Sequence, residues 1–190
     1  MQLTRSVLAF SCIAMLAGTL ASCNRSNTKP DEPAAAPAKT SYNGPAVTIA
    51  ASIPFGKNSN ASDDVRKECG IQTRVPEFIE NEAKSKGIKV VRGAAAPQAK
   101  GRVLVMEVAH VLGTGGGAWS GPKSITIDGK LYDNGKLIGS FSAMRLSGGG
   151  AFGGYKGTCA ILDRCSEALG TDVAEFLLKP VMNAKLGDKS

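Results

Sequence analysis

The clearest alternation in the chain runs from Ser124 to Tyr132. Ile125, Ile127 and Leu131 share one parity, while Thr126, Asp128 and Lys130 share the other. Strand side chains point to opposite faces with a period of two, so this segment predicts a strand with one face in a core. Asn134-Gly135 follows within Asp133–Lys136, and this is the pair that a two-residue type I′ hairpin wants. Leu137–Leu146 is then the returning strand. Arg102–Leu112, apolar on both faces in its first half, predicts a long strand ahead of the pair. Ala46–Ile53 is a strand by its β-branched content, and Ile88–Val91 a short one. Asn58–Asp64 and Ala94–Gly101 read as loops.

Two segments change to the helical period. Thr73 can N-cap a helix with Pro76 in its first turn, and Val75, Phe78, Ile79 and Ala83 form its stripe until Gly87 stops it. Ala160–Leu178 carries Ile161, Cys165, Leu169, Val173, Phe176 and Leu177 on one face, and Pro180 ends it. Asp163 and Asp172 lie outside that stripe and are expected to face water. The order β-α-β-β-β-β-α predicts an α/β two-layer sandwich. Its mixed sheet contains an antiparallel three-strand meander, with two helices on one face.

A meander brings alternate connections to the same end. Gly113–Lys123 and Ser147–Thr158, both rich in glycine, therefore gather at one end of the sheet. Glycine runs expose backbone N–H groups, and aromatic residues in loops often make contacts. Trp119, Ser120, Lys123, Phe152, Tyr155 and Lys156 form the candidate binding edge. The alternative is that the aromatics fold over the helix ends and the glycines merely permit tight turns.

Residues 1–22 stand outside this pattern. Arg5 is a positive n-region, and Ser6–Gly18 is an apolar stretch of h-region length, too short for a span of about 20 apolar residues. Leu20-Ala21-Ser22-Cys23 resembles the bacterial lipobox, which implies cleavage before Cys23 and acylation, palmitate included, at its thiol and freed amine. Two or three acyl chains, at about 0.8 kcal/mol per buried CH₂, make a lasting anchor. Asn24 follows the cysteine where Asp commonly marks inner-membrane retention, so the resemblance implies the outer membrane. Residues 23–45, dominated by Pro, Ala and small polar residues, read as a lipidated tether. Residues 46–182 are then a single α/β domain, and 183–190 a disordered tail.

The chain carries a formal charge of +7, and residues 46–190 hold 19 basic against 14 acidic residues. Basic residues do not run together or alternate with aromatics, and an exported protein has no ordinary access to chromosomal DNA. No nucleic-acid partner is expected, and the charge reads as solubility with weak attraction to anionic envelope surfaces.

Once Cys12 leaves with the leader and Cys23 takes lipid, Cys69, Cys159 and Cys165 remain. In an oxidising compartment they allow one bridge and one leftover thiol. Cys159–Cys165 is the expected pair. Within one helix these residues would lie about 120° apart with a rise near 9 Å, so the bond requires Cys159 to precede the helix. Cys69 reaching the start of the last helix is the alternative.

Apparent catalytic motifs fail on context. Gly148-x-Gly150-x-x-Gly153 matches the dinucleotide fingerprint, but its strand is antiparallel and no strand with an acidic end follows the helix. Gly116–Ser124 looks like a phosphate loop with a proline inserted, but it opens a strand. Cys159–Arg164 is one residue short of a phosphatase loop. His110 is the single histidine and reads as packing or surface. No catalytic residue, metal or cofactor is expected.

From about Cys69 to Leu178 the chain resembles a group of uncharacterised Gram-negative lipoproteins that share a domain of unknown function. The resemblance is carried by Gly113–Gly121, Gly148–Gly154 and Lys156–Cys165. It implies an α/β domain on an envelope tether and transfers no catalytic residue. The expected role is non-enzymatic binding of an envelope protein, lipid or glycan at the glycine-rich edge. Two alternatives are an auxiliary subunit of an envelope transport or secretion assembly, and a hydrolase of envelope polymers.

Overall fold

A computed structural model of the protein describes residues 42–113, 121–148 and 156–189. Cys23 lies outside these residues, as do Trp119, Ser120, Phe152 and Tyr155.

Strands β3 (Arg102–Leu112), β4 (Lys123–Asp133) and β5 (Lys136–Ser147) form the antiparallel meander. Asn134 and Gly135 close the β4–β5 turn with φ of 49° and 82°, as a type I′ hairpin requires. Strand β1 (Val47–Ile49) lies parallel to both β3 and β2 (Val90–Arg92), which gives the order β2-β1-β3-β4-β5-β6. Beyond β1 the chain keeps to the edge of β3. Val108 N–H donates to the Pro54 carbonyl at 2.9 Å, Gly56 N–H to Val108 at 2.9 Å, and Val111 N–H to Ser59 at 2.7 Å. The sheet is mixed, with helices packed on it, as the periodicity predicted.

The expected disordered tail, residues 183–190, is ordered through Lys189. Ala184–Gly187 forms β6, parallel to β5 with Phe141 opposite Ala184. Four residues without alternation give no strand signal alone; the open edge of β5 supplies the backbone partners.

A short helix that periodicity missed, α1 (Asp63–Glu68), occupies part of the expected polar loop. It is capped by Ser62, whose side chain accepts from Val65 N–H. Helix α2 (Ile71–Ser85) starts before Thr73, so Pro76 lies inside it rather than in its first turn. Proline cannot donate to the carbonyl four residues back. That carbonyl belongs to Gln72, and it accepts instead from Ile53 N–H at 3.0 Å, which joins α2 to the chain after β1. Helix α3 (Thr158–Leu178) buries all six stripe residues expected of it.

The core lies between helices and sheet. Ile125, Ile127 and Leu131 of β4 meet Leu104 and Val108 of β3, Val75 and Ile79 of α2, and Leu169 and Val173 of α3. Each such aliphatic residue contributes about 1.5–3 kcal/mol by leaving water. Helices α2 and α3 run in the same direction, with Arg74 paired to Asp163 near one end and Lys86 to Glu175 near the other. Between these pairs, Gly170 admits the body of Phe78. A Cβ on Gly170 would stand 2.7 Å from the Cβ of Phe78.

Candidate functional site

Strand register levels the bases of the two glycine-rich connections. Leu112 at the end of β3 stands opposite Ser124, and Lys123 at the start of β4 stands opposite Ser147. Gly113, Gly121 and Gly148 therefore leave one end of the sheet, where α1 and the start of α3 also lie. A Cβ on Gly113 would come within 2.9 Å of Val65 in α1 and 3.6 Å of Leu162 in α3. Of the candidate binding edge, Lys156 is described and exposed. Trp119, Ser120, Phe152 and Tyr155 lie outside the described residues.

Lys123 corrects the expectation of an exposed edge, for it is fully buried. The cause is parity: Lys123 shares the inward face of β4 with Ile125 and Ile127, and the first turns of α3 cover it. Its carbonyl accepts from the thiol of Cys165 at 3.6 Å. Lys123 therefore belongs to the layer beneath the glycine-rich end.

The expected Cys159–Cys165 bond is also corrected. Cys159 is bonded to Cys69 across 90 residues of sequence, with Cα atoms 4.7 Å apart, and Cys165 is a free, buried thiol. Helix α3 begins at Thr158, so Cys159 is already inside its first turn and points away from Cys165. Cys69, the C-cap residue of α1, lies against it instead. The bond ties α1 to α3 at the glycine-rich end. Burial pushes the Cys165 thiol up to about 11, with the charge of Asp188 adding to the shift, so it stays protonated and a poor nucleophile at neutral pH.

Neither helix aspartate simply faces water. Asp163 receives both Nε and Nη2 of Arg74, at 2.8 and 3.0 Å. Asp172, 8% exposed, receives Nε and Nη2 of Arg145, at 2.7 and 2.5 Å. Each pair raises its arginine above the ordinary value, chiefly through the side-chain hydrogen bond to its aspartate. Arg145 also contacts Asp188, whose Oδ2 accepts from Leu146 N–H at 2.8 Å just past the end of β6. Gly187, at φ 66°, packs over the Arg145–Asp172 pair, where a Cβ would reach 2.8 Å from Asp172 Oδ2. These groups lock β6 to the domain.

The sheet face away from the helices carries a groove of about 590 Å³, lined by Val105, Glu107, Asp128, Lys130, Ser142 and Lys185 among others. Glu107 and Asp128 stand directly opposite in register. The Glu107 carboxyl group, however, lies toward Gly56, on the far side of β3 from Asp128; a Cβ on Gly56 would be 3.4 Å from Glu107 Cδ. The Glu107 carboxyl group thus leans toward the Gly56 edge of β3 and away from Asp128. Sequence reasoning passed over this groove, though the outward parity of Asp128 and Lys130 marked it. His110 lies at the register shift of β3, opposite Thr126.

Among the described residues no helix is long and apolar enough to cross a membrane. No protein family, no curated protein and no solved structure matches the chain.

Proposed function

We propose that the protein is an outer-membrane lipoprotein facing the periplasm, acylated at Cys23, whose domain binds an envelope protein, lipid or glycan at its glycine-rich end. The levelled register of β3, β4 and β5 carries the binding reading, because it opens both glycine-rich connections from one end of a rigid sheet. The Cys69–Cys159 bond braces that end and fits an oxidising compartment. The non-enzymatic reading is supported by the use of reactive groups in structure: Asp163 and Asp172 are each held by an arginine, and the thiol of Cys165 is buried.

Anchoring is tested by growth with radiolabelled palmitate. Label should enter the wild type, found in the outer-membrane fraction, and should be absent from Cys23→Ser. An unlabelled wild type that retains its leader in the cytosol would overturn the anchor. The edge is tested by Trp119→Ala/Phe152→Ala/Tyr155→Ala, which should abolish in-cell cross-links while circular dichroism stays native. Unchanged cross-links reject this edge.

A further inference from the structure

The end of the sheet opposite the glycine-rich connections collects lysine. Lys84 ends α2, Lys89 precedes β2, Lys100 precedes β3, Lys136 opens β5, and Lys179 caps α3. All five are exposed, and none has an ion-pair partner among the described residues. Topology brings them together: β1, β2 and β3 begin at this end, β4 turns into β5 there, and α2 and α3 both stop there. Val47 N–H donates to the Lys89 carbonyl at 2.9 Å, and Gly101 and Asn134 exchange hydrogen bonds at 2.9 Å.

The carboxylates at this end are mostly taken. Asp133 pairs with Arg102 and Glu175 with Lys86, which leaves Glu82 against five lysines. At the other end Asp63, Asp64, Glu68 and Glu167 stand beside Lys57, Arg66, Lys67, Lys156 and Arg164, so the charges there nearly cancel. Exposed apolar side chains flank the lysines: Leu137 follows Lys136, and Val181 and Met182 follow Lys179 at 48% and 51% exposure. The folded chain also enters here, with the Tyr42 hydroxyl accepting from Arg102 Nη1 at 2.8 Å.

We propose that this lysine-rich end rests on an anionic phospholipid surface, that of the membrane holding the acylated Cys23. The proposal depends on the lipoprotein reading for the source of that surface. Charge complementarity and the point of chain entry select the occupant. The segment between Cys23 and Tyr42 spans at most about 65 Å and joins the fold at the lysine end, beside Arg102. A tether of that length sets an effective concentration near the millimolar range, so weak contacts suffice. Each lysine close to an anionic surface contributes about fivefold in binding, within a Debye length of about 8 Å at physiological salt. Leu137, Val181 and Met182 can enter the headgroup layer beside the charges. Seated this way, the domain holds its glycine-rich end away from the membrane.

The test uses the full mature chain with Cys23→Ser, which cannot acylate, and phosphatidylethanolamine vesicles with or without phosphatidylglycerol. Binding should require phosphatidylglycerol and disappear in high salt. Lys84→Gln/Lys89→Gln should weaken it about 25-fold, and Lys57→Gln/Lys67→Gln at the opposite end should leave it unchanged. Circular dichroism verifies the fold of each variant. Equal binding to both vesicles, no binding to either, or equal losses from both lysine pairs would overturn the proposal. Palmitate labelling reports separately on the anchor, since the vesicle assay contains no acylated protein.

Discussion

The Cys69–Cys159 bond should be worth more to the domain than any other single covalent or polar contact described. Its value follows from the 90 residues it spans. On the chain-entropy account, closing a loop of that length removes about 4.6 kcal/mol of disorder from the unfolded chain at 25 °C. A bond between Cys159 and Cys165 would close six residues and contribute about 2 kcal/mol by the same relation. With an unfolding entropy of about 2.1 cal/mol/K per residue over about 150 residues, 4.6 kcal/mol corresponds to roughly 15 °C in Tm. Urea titrations of the oxidised protein should therefore place Cys69→Ala, Cys159→Ala and the double variant at the same reduced stability, because all three delete one bond. Each should also show a larger m-value, since the unfolded chain is released from its crosslink. Cys165→Ala should cost only about 1 kcal/mol, the price of a small core truncation. Non-reducing peptide mapping should recover Cys69 joined to Cys159. A Cys165→Ala loss as large as that of Cys69→Ala, or a recovered Cys159–Cys165 peptide, would refute the reasoning.

Three further outcomes follow from the packing. The folded thiol of Cys165 titrates near 11 against an ordinary value near 9, so its contribution is complete below about pH 9 and is lost as pH rises toward 11. The loss amounts to about 2–3 kcal/mol, and it should appear as a steeper alkaline decline in wild-type stability than in Cys165→Ala. Gly170→Ala would drive a methyl group into the Cβ and backbone of Phe78 at 2.7–2.8 Å, so thermal melts should show a loss of about 1–3 kcal/mol. A variant as stable as the wild type would mean that α2 and α3 can separate freely. Asp172→Ala removes both short hydrogen bonds of Arg145 and leaves it only the 3.4 Å contact with Asp188, so it should cost about 1–3 kcal/mol in urea. Hydrogen exchange should show β6 amides losing protection first; an unchanged β6 would show that the ion pair does not hold it.

The legible parts of the fold were those where one strong period governed many residues. Long strands, one of them with clean parity, an Asn-Gly turn and a long apolar stripe left little choice of architecture, and β3 runs from Arg102 to Leu112 as its apolar content predicted. The missed parts were short and owe their form to neighbours. Six residues of α1 depend on a cap and a disulfide, four residues of β6 on an open strand edge, and the interior Pro76 on an outside donor for Gln72. The charged residues teach a different lesson, since parity already contained their positions. Lys123 shares its face with Ile125, and Arg145 shares its face with Phe141 and Ala143, so both were bound inward by the alternation that built the core. An inward cation must find polar partners in the same layer, because an unpaired buried charge costs several kcal/mol. For Arg145 the partner is Asp172, which the helical stripe alone had assigned to water. Reading sheet parity against helix stripe, rather than each by itself, would have joined Arg145 to Asp172 and withdrawn Lys123 from the surface. The same comparison leaves Lys84, Lys89, Lys100, Lys136 and Lys179 at element ends, where no inward face claims them. That is why their charge is open to an outside surface while that of Arg145 is spent within the fold.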